Sequence, residues 1–134
     1  MQVIFTLTAQ VAGFGHSVSA SNDGTGIVVH TTTGTATARS VSDAARIAAR
    51  DLALYLRGAE RPGVPWGLRV EVGGVAAVYG EFPLYSAPAD PSRRPERSPV
   101  MRIRDQWHDG AGPLAALENA LRIIDAYTGR RAAA

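Results

Sequence analysis

The sequence contains no cysteine and no lysine among its 134 residues. The absence of cysteine excludes disulfide bonds, thiolate metal ligands and cysteine nucleophiles. The absence of lysine excludes the phosphate-binding lysine of a Walker loop and the Ser-x-x-Lys nucleophile. The chain also lacks the run of about 20 apolar residues that crosses a membrane, and its first residues carry neither a basic cluster nor a cleavage site. We therefore expect a cytoplasmic protein that does not bind a membrane.

The charged residues are nearly balanced but uneven in type. Fourteen basic residues, all arginine, stand against twelve acidic residues and give a formal net charge of +2. Arginine without lysine, together with many Ala, Gly and Val residues, is typical of a high-GC coding sequence and favours a bacterial or phage origin. Genome bias explains this arginine usage as well as phosphate binding does. With 46% hydrophobic residues the chain has enough apolar surface for one compact domain.

Alternating apolar and polar residues predict strands through the first part of the chain. Residues 3–11 alternate over most of their length, residues 16–21 alternate again after a glycine-rich interruption, and residues 26–30 form a third β-rich run. The Asn-Asp-Gly sequence at 22–24 favours a tight turn, so the second and third runs form a hairpin. A threonine-rich stretch at 31–38 contains a glycine that marks a bulge or a turn.

Two segments have the 3.6-residue period of an amphipathic helix. The first covers about 42–57, with Ser42 as its N-cap and Gly58 placed for its C-terminal cap. The second begins with Pro113 at its first position and ends at Gly129.

The remaining segments predict further strands and one long loop. Residues 66–72 alternate cleanly, and Gly73-Gly74 can turn the chain into a second hairpin over 75–79. Five prolines lie among polar residues from 83 to 99, which indicates a mobile loop. A short strand at 100–104 resumes the sheet. We therefore predict an α+β fold, a mainly antiparallel sheet with two amphipathic helices packed on one face.

Residues of about 16–72 resemble the HicB-like antitoxin family. The resemblance rests on 22–29 (NDGTGIVV) in the hairpin, on 38–44 (ARSVSDA) before the helix, and on the helix positions Ala48, Asp51, Leu52, Tyr55 and Leu56. It implies a β-β-β-α-β fold like a partial double-stranded-RNA-binding domain, and a non-catalytic scaffold that binds a protein partner. The Pro-Gly-Cys segment usual before the family's helix is replaced here by 30–34 (HTTTG), and no ribbon-helix-helix or helix-turn-helix motif is appended.

This organisation predicts one domain over residues 1–134. Its HicB-like core of hairpin, helix and hairpin spans 16–82, the Pro/Arg-rich loop spans 83–99, and a strand with the C-terminal helix spans 100–129.

No grouping of residues predicts catalysis, a cofactor or a metal ion. His16, His30 and His108 are too scattered for a metal site and are interpreted as structural or surface residues. A carboxylate at Asp105 or Asp109 could orient His108 for acid/base chemistry, but Asp109 fits better as support for the turn before the second helix. No serine lies in a Gly-x-Ser-x-Gly motif.

Positive charge is concentrated in one segment near the Pro-rich loop. Within 92–104, five arginines and one glutamate give a local charge of +4; the arginines are Arg93, Arg94, Arg97, Arg102 and Arg104. This segment predicts contacts with nucleic-acid phosphates as one alternative, and a solvated loop or a contact with an acidic protein as the other. Because no aromatic residues are interleaved, base stacking is not indicated.

The threonine-rich stretch predicts an exposed strand edge that a partner chain could extend, at Thr31, Thr33, Thr35 and Thr37. We therefore expect a non-enzymatic protein-binding module, whose partner is either a protein that it neutralises or another copy of itself. The alternative is a nucleic-acid-binding accessory protein that uses the arginines of 93–104.

Overall fold

The computed structural model describes residues 2–61, 63–80, 100–102 and 112–133. These residues form seven strands: β1 (Gln2–Val11), β2 (Phe14–Asn22), β3 (Ile27–Thr31), β4 (Gly34–Ala38), β5 (Trp66–Val72), β6 (Val75–Gly80) and β7 (Val100–Arg102). Two helices, α1 (Val41–Leu56) and α2 (Pro113–Ala133), and one turn of 3₁₀ helix (Arg57–Ala59) complete the fold.

The strands form one sheet in the order β4-β3-β2-β1-β5-β6-β7. Every neighbouring pair is antiparallel except β6 and β7, which are parallel. The long strand β1 lies at the centre, because it pairs with β2 on one side and with β5 on the other. The predicted strand at 100–104 is present as β7, and its last two residues lie outside the described part of the chain.

One face of the sheet carries the core. Leu7 on β1 lies between Val18 on β2 and Val70 on β5, and all three side chains are fully buried. The alternation in β1 continues as expected through Ala9, but Val3 is 60% exposed. A register shift between Val3 and Phe5 causes this difference, because an extra residue in a strand turns the preceding side chains to the other face.

Both helices pack on that same face, as predicted, and they also pack against each other. The buried positions of α1 are Ala44, Ala45, Ala48, Leu52 and Leu56. Those of α2 are Pro113, Ala116, Leu117, Ala120 and Ile124. Half of these ten positions are alanines, and such small side chains allow close packing of backbones.

The N-cap of α1 is Ser40 rather than Ser42. The Ser40 hydroxyl accepts a hydrogen bond from the Asp43 amide at 3.0 Å, and the Asp43 carboxylate accepts one from the Arg39 amide at 3.0 Å. These two contacts satisfy the Asp43 amide in the first turn and the Arg39 amide just before the helix, neither of which has a partner within the helix. Ser42 already lies inside the first turn, which is why its cap-like residue type misled the prediction.

The C-terminal helix does not end at Gly129, since α2 continues to Ala133. A glycine inside a helix costs about 1 kcal/mol relative to alanine. The arginines and alanines that follow it are good helix formers, so this cost does not stop the helix. The described residues contain no helix long and apolar enough to cross a membrane.

The first two turns of the sheet are tight. The β1–β2 turn consists of Ala12 and Gly13 alone, with φ of 51° and 88°, so Phe14 already belongs to β2 and the predicted interruption is shorter than expected. The predicted turn after Asn22 is confirmed. There the Asp23 carboxylate accepts hydrogen bonds from the Thr25 hydroxyl and amide, which lower the pKa of Asp23.

Candidate protein-binding edge

The strand β4 lies at one end of the sheet. One of its two backbone edges pairs with β3, and the other pairs with no strand of the described residues. Of the four threonines predicted to form an interaction edge, Thr35 and Thr37 belong to β4. We call the unpaired side of β4 the β4 edge.

The other two threonines shape the turn that leads into β4. Thr31 is the last residue of β3 and pairs with Gly34, while Thr33 lies in the two-residue turn between them. The Thr31 hydroxyl donates to the Gly34 carbonyl at 3.0 Å and accepts from the Thr33 amide at 3.3 Å. Thr31 and Thr33 therefore do not lie along the edge; they stabilise the turn. The prediction placed all four threonines along one edge, because the threonine run by itself does not show at which residue the chain turns.

The strand register determines which backbone groups of β4 point outward. In a two-residue hairpin the closing pair is hydrogen-bonded, and hydrogen-bonded and non-hydrogen-bonded pairs then alternate. The closing pair here is Thr31 with Gly34, so Ala36 and Ala38 also use their amides and carbonyls toward β3. The amide and carbonyl groups of Thr35 and Thr37 consequently point away from the sheet and are available to another strand.

The side chains of β4 alternate between the two sheet faces. Gly34, Ala36 and Ala38 lie on the face that carries the helices, and the Thr35 and Thr37 side chains lie on the open face. Hydroxyls continue across the open face, where Thr8 and Ser17 are hydrogen-bonded at 2.9 Å. A strand added to β4 would therefore have polar neighbours on the open face of the sheet and apolar neighbours on the helix face.

A groove runs between β4 and α1 on the helix side. Its volume is about 360 Å³, and it is lined by Thr31, Thr33, Gly34, Thr35, Ala36, Ile47, Arg50, Asp51 and Leu54. Leu54 is 68% exposed and Ile47 is partly buried. Because Gly34 and Ala36 are small, the strand side of the groove is open. Sequence reasoning missed this groove, although exposed Leu54 on a helix with a well-defined apolar face is the signal that could have indicated it.

The charged side chains of the groove are one cation and one anion. The Asp51 carboxylate accepts hydrogen bonds from the amide of Thr32 at 3.1 Å and from its hydroxyl at 2.9 Å. These contacts hold the β3–β4 turn against α1. Arg50, the preceding residue of the helix, is exposed at the rim of the groove.

Neither His16 nor His30, the two histidines of the described residues, lines this groove. The His16 ring packs against the Tyr55 ring with a centroid distance of 3.9 Å, and the Tyr55 hydroxyl donates to the Phe14 carbonyl. His30 pairs with Ser19 and Thr35 across the strands of the open face. Within the described ranges no three potential ligands form a group that could hold a metal ion.

Several predicted residues cannot be placed in this site. Arg102 is the last residue of β7, at the opposite end of the sheet from β4. Four of the arginines proposed for phosphate contacts lie outside the described residues: Arg93, Arg94, Arg97 and Arg104. The loop 83–99 and the residues Asp105, His108 and Asp109 also lie outside them.

Comparisons of this chain with models of protein families, with curated proteins and with solved structures give no match. The class of protein that the structure defines is therefore an α+β domain with a mainly antiparallel sheet.

Proposed function

We propose that this protein is a non-enzymatic binding module that holds a partner protein by adding one of the partner's strands to the β4 edge. The observation that carries the proposal is the arrangement at Thr35 and Thr37. Their outward amides and carbonyls form a ready template for strand pairing, and a groove with exposed apolar side chains lies directly beside it. Strand addition uses both elements, since backbone hydrogen bonds supply affinity and side-chain pockets supply selectivity.

The resemblance to HicB-like antitoxins supports the same kind of function. Within residues 16–72 the chain has the strands β2, β3 and β4, then the helix α1 and the strand β5, which agrees with the β-β-β-α-β order that the resemblance implies. The third of these strands, β4, provides the edge. A family of non-catalytic partner-binding scaffolds is thus compatible with a binding site at this strand. We propose that the protein acts in the cytoplasm of a bacterium or of a phage-infected cell, because its amino-acid composition favours a bacterial or phage origin.

The proposal is tested by blocking the edge without disturbing the hairpin. The double variant Thr35→Pro/Thr37→Pro removes both outward amides and leaves the amides that pair with β3 intact. The matched control Thr35→Val/Thr37→Val keeps the amides and the branched shape but removes the hydroxyls. Tagged wild-type and variant chains are used to capture partners from nuclease-treated lysate of the native host, and the captured proteins are identified by mass spectrometry.

We expect the wild type and the valine control to retain the same protein in a fixed ratio, and the proline variant to lose it at least tenfold. Amide hydrogen exchange supplies the direct readout, because the Thr35 and Thr37 amides should become protected only in the complex while the Ala36 amide is protected throughout. Unfolding curves show whether the proline variant remains folded. Capture that survives the proline substitutions would overturn the proposal, and so would capture that moderate salt abolishes.

A further inference from the structure

The β4 edge fits a second copy of itself. We infer that β4 pairs with β4 of another chain around a two-fold axis at Ala36, joining two sheets into one and placing the two α1 helices side by side. This inference rests on the proposed function, because it names the partner of the same edge. The three features that support it are the strand register, the shape of the groove and the distribution of charge.

The register centred on Ala36 pairs every residue of the strand. β4 has five residues, and an antiparallel copy aligned on its middle residue places Gly34 opposite Ala38 and Thr35 opposite Thr37. The outward amides and carbonyls of both threonines are then all satisfied by those of the second copy. On the open face each threonine lies beside a threonine, and such β-branched cross-strand pairs stabilise antiparallel sheets.

On the helix side, the same register joins the two grooves. Two Ala36 residues would face each other as a non-hydrogen-bonded pair with Cα atoms about 4.5 Å apart. Ala36 lines the groove, so the groove of one copy opens into that of the other. Ile47 and Leu54 are seven residues apart on α1 and line the same flank, which lets them fill the joined space. The 68% exposure of Leu54 in the single chain is thereby explained.

The charges permit two identical surfaces to meet. The groove contains one arginine, Arg50, and one aspartate, Asp51, so two copies bring no net charge to the interface. Arg39 follows β4 and lies three residues from the axis, which separates the two copies of Arg39 by roughly 20 Å along the strand direction. That separation exceeds the screening length of about 8 Å at physiological salt, so these arginines do not repel each other appreciably.

The natural absence of cysteine makes a direct test possible. In the full chain, the single variant Ala36→Cys places one thiol at the axis, where the spacing of a non-hydrogen-bonded pair suits a disulfide. Mild oxidation should convert most of this variant to a covalent dimer. The matched variant Thr35→Cys should cross-link at least tenfold more slowly, because its two copies would lie about 8 Å apart, beyond the range of a disulfide.

Light scattering after size-exclusion chromatography measures the assembly without covalent capture. We expect twice the chain mass of 14.1 kDa for the wild type and the single-chain mass for Leu54→Arg and for Thr35→Pro/Thr37→Pro. The control Phe14→Arg replaces another exposed apolar residue, 74% exposed at the β1–β2 turn, and should remain dimeric. Leu54→Arg changes an exposed position, so its result does not depend on whether the proline variant folds.

The outcomes separate the two proposals. A monomer at every soluble concentration would overturn the inference, as would a dimer that the Leu54 and edge variants leave intact or one in which Ala36→Cys cross-links no faster than Thr35→Cys. If such a chain still captures a different protein through Thr35 and Thr37, the proposed function stands and only the choice of partner is wrong. If it captures none through that edge, both are wrong.

Discussion

The carboxylate of Asp51 accepts hydrogen bonds from both the amide and the hydroxyl of Thr32, 19 residues earlier in the chain. This contact joins the tip of the β3–β4 hairpin to the middle of α1. A two-stranded hairpin at the end of a sheet is held by few neighbours. The Asp51–Thr32 contact therefore sets the position of the β4 edge relative to the groove beside it.

Replacing Asp51 should loosen this hairpin. We expect Asp51→Ala to lower the free energy of unfolding by about 1 kcal/mol, because water replaces the lost bonds at this exposed turn. Asp51→Asn keeps one acceptor oxygen and should lose about half as much. Urea unfolding measures both changes, and hydrogen exchange at Thr32 should accelerate with them. The neighbouring variant Arg50→Ala serves as the control and should stay within about 0.5 kcal/mol of the wild type. Equal effects of Asp51→Ala and Arg50→Ala would contradict this role.

A substitution in the β1–β2 turn at Ala12 and Gly13 should make the protein more stable. Ala12 has a φ of 51°, a conformation that costs an alanine about 1 kcal/mol and that asparagine tolerates better. Ala12→Asn creates the Asn-Gly pair preferred in such hairpins and should raise the free energy of unfolding by about 1 kcal/mol. Ala12→Gly should gain less, because glycine loses more backbone entropy on folding.

Thermal unfolding of these two variants measures the effect, with Gly13→Ala as the opposite control. Gly13 has a φ of 88°, so alanine there should destabilise the protein. The backbone amide of Ala12 donates to the Pro65 carbonyl at 2.9 Å. Asparagine and glycine have the same amide, so neither substitution at position 12 removes this bond. A lower free energy of unfolding in Ala12→Asn than in the wild type would contradict the prediction.

Burial of Tyr79 predicts a loss of stability in alkali. Its side chain is 1% exposed, and burial raises the pKa of Tyr79 from 10.0 to about 12. The unfolded chain can ionise this phenol above pH 10 while the folded chain cannot, so its contribution to stability is complete below pH 10 and is lost as the pH rises toward 12. We expect the free energy of unfolding to fall across that window.

The composition makes this window easy to interpret. The chain has four tyrosines and neither lysine nor cysteine, so no other side-chain type titrates near pH 10. Phenolate absorbance should therefore include a late step near pH 12 that belongs to Tyr79. Tyr79→Phe should remove both the late absorbance step and most of the fall in stability. Absorbance above pH 10 that is the same in the wild type and in Tyr79→Phe would contradict the prediction.

Substitutions in the arginine-rich segment 93–104 distinguish the protein-binding hypothesis from the nucleic-acid-binding alternative. We expect replacement of its five arginines with glutamine to leave binding through the β4 edge unchanged, because that edge uses backbone groups and a groove of zero net charge. The residues replaced are Arg93, Arg94, Arg97, Arg102 and Arg104. Titration of the wild type and the variant with a short duplex at several salt concentrations gives the comparison. Tight binding to the duplex by the wild type, with a steep salt dependence that the variant lacks, would favour the nucleic-acid alternative.

Local patterns were sufficient for most of the secondary structure. The alternation in β1 and β5 and the 3.6-residue period of α1 follow from the geometry of strands and helices, so a short stretch of sequence records them, and each segment formed where its pattern indicated. The ends were less predictable. Ser42 has the residue type of a cap, but Ser40 is the residue whose hydroxyl reaches the free amide of Asp43. Gly129 has the residue type of a helix stop, but the residues after it continue the helix.

By itself, the sequence determined that this chain forms an α+β domain, because the period of its apolar residues follows directly from helix and strand geometry. Only the tertiary structure decided where each element lies. Strand β5 pairs with β1 rather than with β4, although α1 and the short 3₁₀ helix are the only regular elements that the described residues form between β4 and β5. The strand order depends on which apolar faces bury each other across the sheet, a long-range choice that no local pattern records. That order leaves β4 at an edge of the sheet, and the position of the β3–β4 turn makes Thr35 and Thr37, but not Thr31 and Thr33, part of that edge.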